Sequence, residues 1–115
     1  MRNGLITNSQ GDRMWYHNDL LHRIIGPAIE YADGSKRWYQ NNQLHRTDGP
    51  AIEFIDGTKM WYQNNKRHRT NGPAIEYDNG YKFWWFKGYE YTFIDWLNLV
   101  DFTEPQKTVM RLQYA

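Results

Sequence analysis

The sequence predicts a mainly β fold: an antiparallel β-hairpin repeat array, laid out as a single-layer sheet and closed by a two-helix C-terminal cap. Two observations carry this reading. The first is a period. His22, His45 and His68 lie 23 residues apart, and the same step links Trp15, Trp38, Trp61 and Trp84, and Gly11, Gly34, Gly57 and Gly80. A fixed period of this length marks units that stack on their neighbours to bury a core none could bury alone. The second is the loss of the period after Tyr91, where helix-start signals take over. The chain therefore divides into a β array over residues 1–91, about four units with the first degenerate, and a helical cap over residues 92–115.

Each unit carries two turn signals. Asp33-Gly34, Asp56-Gly57 and Asn79-Gly80 read as two-residue hairpin turns, with Gln10-Gly11 as a weaker first copy. Centring the hairpins there sets Ile6 against Trp15, Ile29 against Trp38, Ile52 against Trp61 and Ile75 against Trp84. Such aliphatic–indole pairs contribute about 0.2–1 kcal/mol each. The same register sets Tyr31 against Lys36, Phe54 against Lys59 and Tyr77 against Lys82, and puts Met14, Arg37, Met60 and Phe83 at the positions facing the recurring Glu. The second signal is Asn41-Asn42, matched by Asn18-Asp19, Asn64-Asn65 and Lys87-Gly88, which places Trp15, Trp38 and Trp61 opposite His22, His45 and His68. Units related by translation need an even number of antiparallel strands, so two per unit are expected. His-Arg-x-x-Gly-Pro is then an irregular connection, its proline sitting where no amide donor is needed.

Beyond Tyr91, Thr92-Phe93-Ile94-Asp95 reads as a helix start, with Trp96, Leu97, Leu99 and Val100 as an apolar stripe. Thr103-Glu104-Pro105-Gln106 is a second start, with Thr103 as N-cap and Gln106 completing a capping box. Val109, Met110, Leu112 and Tyr114 are expected to face inward. The helical pair is expected to cover the exposed edge of the last strand.

Composition bounds the function. The chain has 115 residues, of which six Trp, nine Tyr and five Phe are aromatic, yet mean hydropathy is −0.92. Large rings set among polar residues suit a ring-lined sheet better than a Leu-rich bundle. Cysteine is absent, which removes disulfides, thiolate metal sites and cysteine nucleophiles. A net charge of +1 is a poor footprint for a nucleic-acid binder. With no membrane-length apolar run and no secretory h-region, the expectation is a soluble, cytoplasmic protein.

The order Trp, polar turn, His, Gly, strand, Asp-Gly over 23 residues resembles the MORN (membrane occupation and recognition nexus) repeat, across about residues 5–91. MORN repeats usually carry His-Gly followed by Gly-x-Gly. Here the motif is His-Arg followed by Gly-Pro-Ala, which looks like the variant in repeat proteins of tailed phages and large DNA viruses. The resemblance implies a β array acting as a scaffold, an interaction surface or a lipid-binding element.

No Ser-His-Asp order, phosphate-binding Gly loop, paired-carboxylate signature or metal spacing stands out, so neither catalysis nor a cofactor is expected. Equivalent histidines two strands apart are separated by about 9–10 Å, too far to share a metal. His22, His45 and His68 read as structural partners of their Trp and local backbone, with ligand contact and catalysis as alternatives. Arg23, Arg46 and Arg69 form a column beside Glu30, Glu53 and Glu76. Either they pair with these carboxylates and loop carbonyls, or they form an anion ladder for a nucleotide or lipid headgroup. Strand alternation puts Ile and Trp on one face. The other face carries Ala28, Ala51 and Ala74 with large and exchangeable side chains. It is the candidate protein interface, represented by Tyr16, Arg37, Tyr39, Met60, Tyr62 and Trp85, unless it is itself the core. The expected function is non-catalytic protein binding, in a small phage or viral protein that inhibits or scaffolds a host-cell protein, an anti-defence inhibitor being one case. The alternative is a sponge for an anionic small ligand held by Arg23, Arg46 and Arg69.

Overall fold

The computed structural model describes residues 1–114; position 115, assigned above to the helical cap, lies outside them. The first unit holds β1 (Gly4–Thr7), β2 (Arg13–His17) and β3 (Leu20–Leu21). The second holds β4 (Ile29–Glu30), β5 (Lys36–Arg37), β6 (Tyr39–Gln40) and β7 (Gln43–Leu44). The third repeats this as β8 (Ile52–Glu53), β9 (Lys59–Met60), β10 (Tyr62–Gln63) and β11 (Lys66–Arg67). The fourth has β12 (Ile75–Glu76), β13 (Lys82–Phe86) and β14 (Tyr89–Tyr91), followed by α1 (Phe93–Leu99) and α2 (Glu104–Tyr114). The main sheet is open and antiparallel, in the order β1-β2-β4-β5-β8-β9-β12-β13-β14, with β3 on β2 and side ladders β6-β7 and β10-β11. Each inner unit thus adds two strands to the main sheet, as the parity argument requires, and carries two more in a side ladder, so the expected two strands per unit hold for the main sheet alone. The molecule is elongated, 50 × 28 × 21 Å.

The two turn signals behave differently. Asn18-Asp19, Asn41-Asn42 and Asn64-Asn65 have positive φ at both residues, 49–50° then 64–65°, as a two-residue type I′ turn requires. The expected register follows: Tyr39 pairs with Leu44, and His45 N–H donates to the Trp38 carbonyl at 3.1 Å. At the Asp-Gly turns only the glycine is left-handed, Gly34 and Gly57 both at +97°. The Tyr31 N–H donates to the Ser35 carbonyl and the Gly34 N–H to the Tyr31 carbonyl, both at 2.9 Å. The loop is therefore three residues, a type I turn closed by a left-handed glycine. The Asp33 and Asp56 carboxylates reinforce it by accepting from the Ser35 and Thr58 N–H groups, each at 2.8 Å.

That extra loop residue corrects the expected pairing. Ile29 lies opposite Arg37 rather than Trp38, Ile52 opposite Met60, Ile75 opposite Phe83 and Ile6 opposite Met14. Lys36, Lys59 and Lys82 face Glu30, Glu53 and Glu76 rather than Tyr31, Phe54 and Tyr77. A one-residue slip moves a strand's side chains to the other face, so Ile and Ala exchange places relative to the expectation. One face, here the Trp face, carries Trp, Ala and an alternating row Arg13, Glu30, Lys36, Glu53, Lys59, Glu76, Lys82. The other, the Tyr face, carries Tyr and the row Ile6, Met14, Ile29, Arg37, Ile52, Met60, Ile75, Phe83. Neither face alone is the core. Ala28, Ala51 and Ala74 are buried on the first, and Ile29, Ile52 and Ile75 on the second.

Units are tied through side chains as well as the ladder. Asp12 Oδ1 accepts from Ala32 N–H at 2.8 Å, the buried Ser35 hydroxyl from Ile55 N–H at 3.0 Å, and the buried Thr58 hydroxyl from Asp78 N–H at 3.2 Å. These give each new turn a partner for an amide the sheet leaves unpaired.

The helical end follows its caps. Thr92 accepts from Asp95 N–H at 3.2 Å. Thr103 and Gln106 exchange bonds reciprocally, at 2.8 and 3.3 Å, as a capping box. The helices lie over Trp84 on the Trp face, with α1 packed against both β13 and β14. Trp96, Leu97 and Val100 are buried with Trp84, and Phe93, Phe102, Met110 and Tyr114 pack around them. Leu99, Val109 and Leu112 are exposed, contrary to expectation, because the helices bury only the strip that reaches this ring cluster.

Candidate functional site

On the Trp face, each His-Arg-x-x-Gly-Pro copy builds the same cluster. The guanidinium carbons of Arg23, Arg46 and Arg69 stand 3.7, 3.8 and 3.8 Å from the ring centroids of Trp15, Trp38 and Trp61. Each Nη1 donates to the following proline carbonyl, Pro27, Pro50 or Pro73, at 3.2, 3.1 and 3.0 Å. The same nitrogens meet Glu30, Glu53 and Glu76 at 3.3, 3.6 and 3.2 Å. The glycines roof these stacks. A Cβ at Gly26, Gly49 or Gly72 would stand 3.2, 2.8 or 2.6 Å from the arginine Cζ. Their φ angles are not left-handed, so space for the arginine is the reason for glycine here. Arg46 Nε also donates to Asp48 at 2.8 Å, and this bond with the adjacent charge holds the Asp48 carboxyl below its usual range.

The histidines reach forward to the next unit. The Nδ1 atoms of His22, His45 and His68 accept from the N–H of Asn41, Asn64 and Lys87, the first residue of the following type I′ turn, at 3.1, 3.0 and 3.0 Å. Asn3 Oδ1 does the same for Asn18 N–H at 2.9 Å. An accepting Nδ1 requires the neutral ring to carry its proton on Nε2. Burial, then the Lys87 cation, pushes the His68 pKa below the ordinary 6.5. The unfolded chain therefore takes up this proton first on acidification, and stability is lost as pH falls below about 6.5 through the lower folded value. Melting temperature should drop between pH 7.5 and 5, and His68→Asn, with the acceptor used at Asn3, should flatten that slope. An unchanged slope would sink this assignment. Among the described residues no group of three or more His, Cys, Asp or Glu is placed to hold a metal ion.

The Tyr face brings together all six candidate interface residues. Tyr16, Tyr39, Tyr62 and Trp85 lie at equivalent positions, cross-strand from Leu21, Leu44, Arg67 and Glu90. Arg37 and Met60 lie in the Ile row beside them. The Arg37 guanidinium stands between the rings of Tyr31 and Phe54, 5.8 and 5.9 Å from their centroids. Burial raises the Tyr31 pKa, and the Arg37 charge offsets part of that rise. Arg67 Nε donates to the Tyr62 hydroxyl at 3.0 Å, and its guanidinium lies 4.9 Å from the Trp85 ring centroid.

Sequence reasoning missed Tyr31, Phe54 and Arg67 as members of this face. Tyr31 and Phe54 recur just before each Asp-Gly turn, and the three-residue loop is what turns them to this side. Arg67 stands where the other units have Leu21 and Leu44. It also missed Ile24 and Ile25, 77% and 89% exposed, which occupy the loop positions of Thr47-Asp48 and Thr70-Asn71.

No protein-family model matches the chain, and no curated protein or solved structure matches it.

Proposed function

We propose that the chain is a non-catalytic protein–protein interaction module whose working surface is the Tyr face. One observation carries this. The motif arginines of the Trp face are consumed internally, each by a Trp ring, a proline carbonyl and a Glu. The Tyr face instead varies between units along the row Met14, Arg37, Met60 and Phe83, beside a column of rings, Tyr16, Tyr39, Tyr62 and Trp85. Residues kept for the fold repeat, whereas a surface fitted to an asymmetric partner differs from copy to copy. Tyr, Trp, Met and Arg are also the side chains enriched where interfaces hold most of their binding energy.

The arginine ladder is the weaker basis for a function. An anion at Arg23, Arg46 or Arg69 would compete with a carboxylate already within 3.6 Å. No helix among the described residues is long and apolar enough to cross a membrane. The likeness to MORN repeats of phage and large-virus type extends the proposal to a cytoplasmic host protein as the partner, inhibited or scaffolded by docking.

The immobilised protein is expected to retain one stoichiometric protein from a lysate of the cells that produce it. The partner should be lost with Tyr39→Ala plus Tyr62→Ala, circular dichroism confirming the fold. It should be kept with Lys36→Ala plus Lys59→Ala on the other face. A thermal shift with nucleotides or phosphoinositides that Arg46→Ala abolishes, with no protein retained, would overturn the proposal in favour of the ligand sponge.

A further inference from the structure

Arg37 is the arginine of the Tyr face that the fold leaves unpaired among the described residues. Equivalent positions hold Met14, Met60 and Phe83, so the row is built to be apolar. The other arginines of the array, Arg2, Arg13, Arg23, Arg46, Arg67 and Arg69, each have an oxygen acceptor within 4.0 Å. The Arg37 guanidinium has no hydrogen bond or ion pair among the described residues. Its Nε and the Trp85 Nε1 are the two buried side-chain polar atoms left without a partner there, and both belong to this face.

Resting on the interface reading above, we propose that the Tyr face receives an acidic polypeptide segment, one carrying Asp or Glu between apolar side chains, with its carboxylate paired to Arg37 between the Tyr31 and Phe54 rings. Charge complementarity selects this occupant. The face carries Arg37 and Arg67, while Arg2 over the Tyr16 ring is already paired with Asp19, and Glu90 is the acid among the residues paired across it. A neutral apolar partner would bury the Arg37 charge unpaired, which is strongly unfavourable. A carboxylate turns the same burial into a charge-assisted, planar pair in a low-dielectric setting. A second copy docked through the same face by two-fold symmetry would bring like charges together. A nucleic-acid backbone would call for a track of cations rather than one set among Ile, Met and Tyr.

The test is selection of a displayed library of random short peptides on the immobilised full chain. Recovered peptides are expected to carry Asp or Glu flanked by aliphatic or aromatic residues. Arg37→Met, which installs the side chain of the neighbouring units, should weaken a synthetic binder at least about tenfold. Changing the peptide's acid to its amide should do the same, and the two losses should not add. Binders without a carboxylate, or unaffected by Arg37→Met yet lost with Tyr62→Ala, would overturn the acidic partner and leave the interface standing. Peptides indifferent to both changes, or none recovered, would overturn both. Arg37-dependent capture of a single-stranded oligonucleotide would replace the acidic segment with nucleic acid.

Discussion

Trp96→Ala is expected to lower stability by about 3–5 kcal/mol, the range for emptying a buried aromatic site. The side chain is 0% exposed, its ring 4.6 Å from Trp84 and 5.6 Å from Phe102. Its Nε1 donates to the Arg69 carbonyl at 3.0 Å, so the substitution also leaves that carbonyl without this partner. Trp15, Trp38 and Trp61 are each covered by an arginine, and at Trp84 the helices supply Trp96, Phe93 and Tyr114 instead. Repeat arrays are stabilised largely by neighbour contacts. The loss should therefore appear first as early melting of the helical far-UV signal, ahead of the β array. An unchanged midpoint with one cooperative transition would contradict this role.

The period, the two main-sheet strands of each inner unit and the Trp–His opposition were legible because each depends on short-range chemistry. Asn-Asn admits positive φ at both turn residues, and Thr103 with Gln106 is a complete local capping signal. The Asp-Gly turns were harder. The same dipeptide serves a two-residue loop or the last two residues of a three-residue loop. What decides is a bond from Asp33 to the Ser35 amide, which holds Asp33 out of the left-handed region. Misplacing that residue exchanges the faces of Ile and Ala, so the six interface candidates share a face with other neighbours than the sequence suggests. The unpaired state of Arg37 is a property of the folded face and has no signature in the chain. The helix stripes over-promised at Leu99, Val109 and Leu112, because an amphipathic pattern does not tell how wide a partner surface will be.

Gly72→Ala is expected to cost about 2–4 kcal/mol, although Ala is a better residue for an ordinary backbone conformation. The added Cβ would stand 2.6 Å from Arg69 Cζ and 2.7 Å from its Nη1. The Arg69 guanidinium ends a flexible side chain but is held on several sides, so making room strains its contacts with the Trp61 ring at 3.8 Å, the Pro73 carbonyl at 3.0 Å and Glu76 at 3.2 Å. A partly desolvated cation–π contact is worth about 1–2 kcal/mol, and charged hydrogen bonds about 1.5–3 kcal/mol. Gly49→Ala should behave alike against Arg46, where the gap is 2.8 Å, and Gly26→Ala more mildly at 3.2 Å.

The recurring residues are architectural, each Gly-Arg-Trp stack binding its unit together. The double-mutant cycle of Gly72→Ala with Arg69→Ala, read by chemical denaturation, tests this directly. If glycine is needed to make room for the arginine, Gly72→Ala should cost nothing once Arg69 is gone, or stabilise by about 0.4–1 kcal/mol through the lower entropy of the unfolded chain. A full, additive penalty for Gly72→Ala in the Arg69→Ala background would contradict the account.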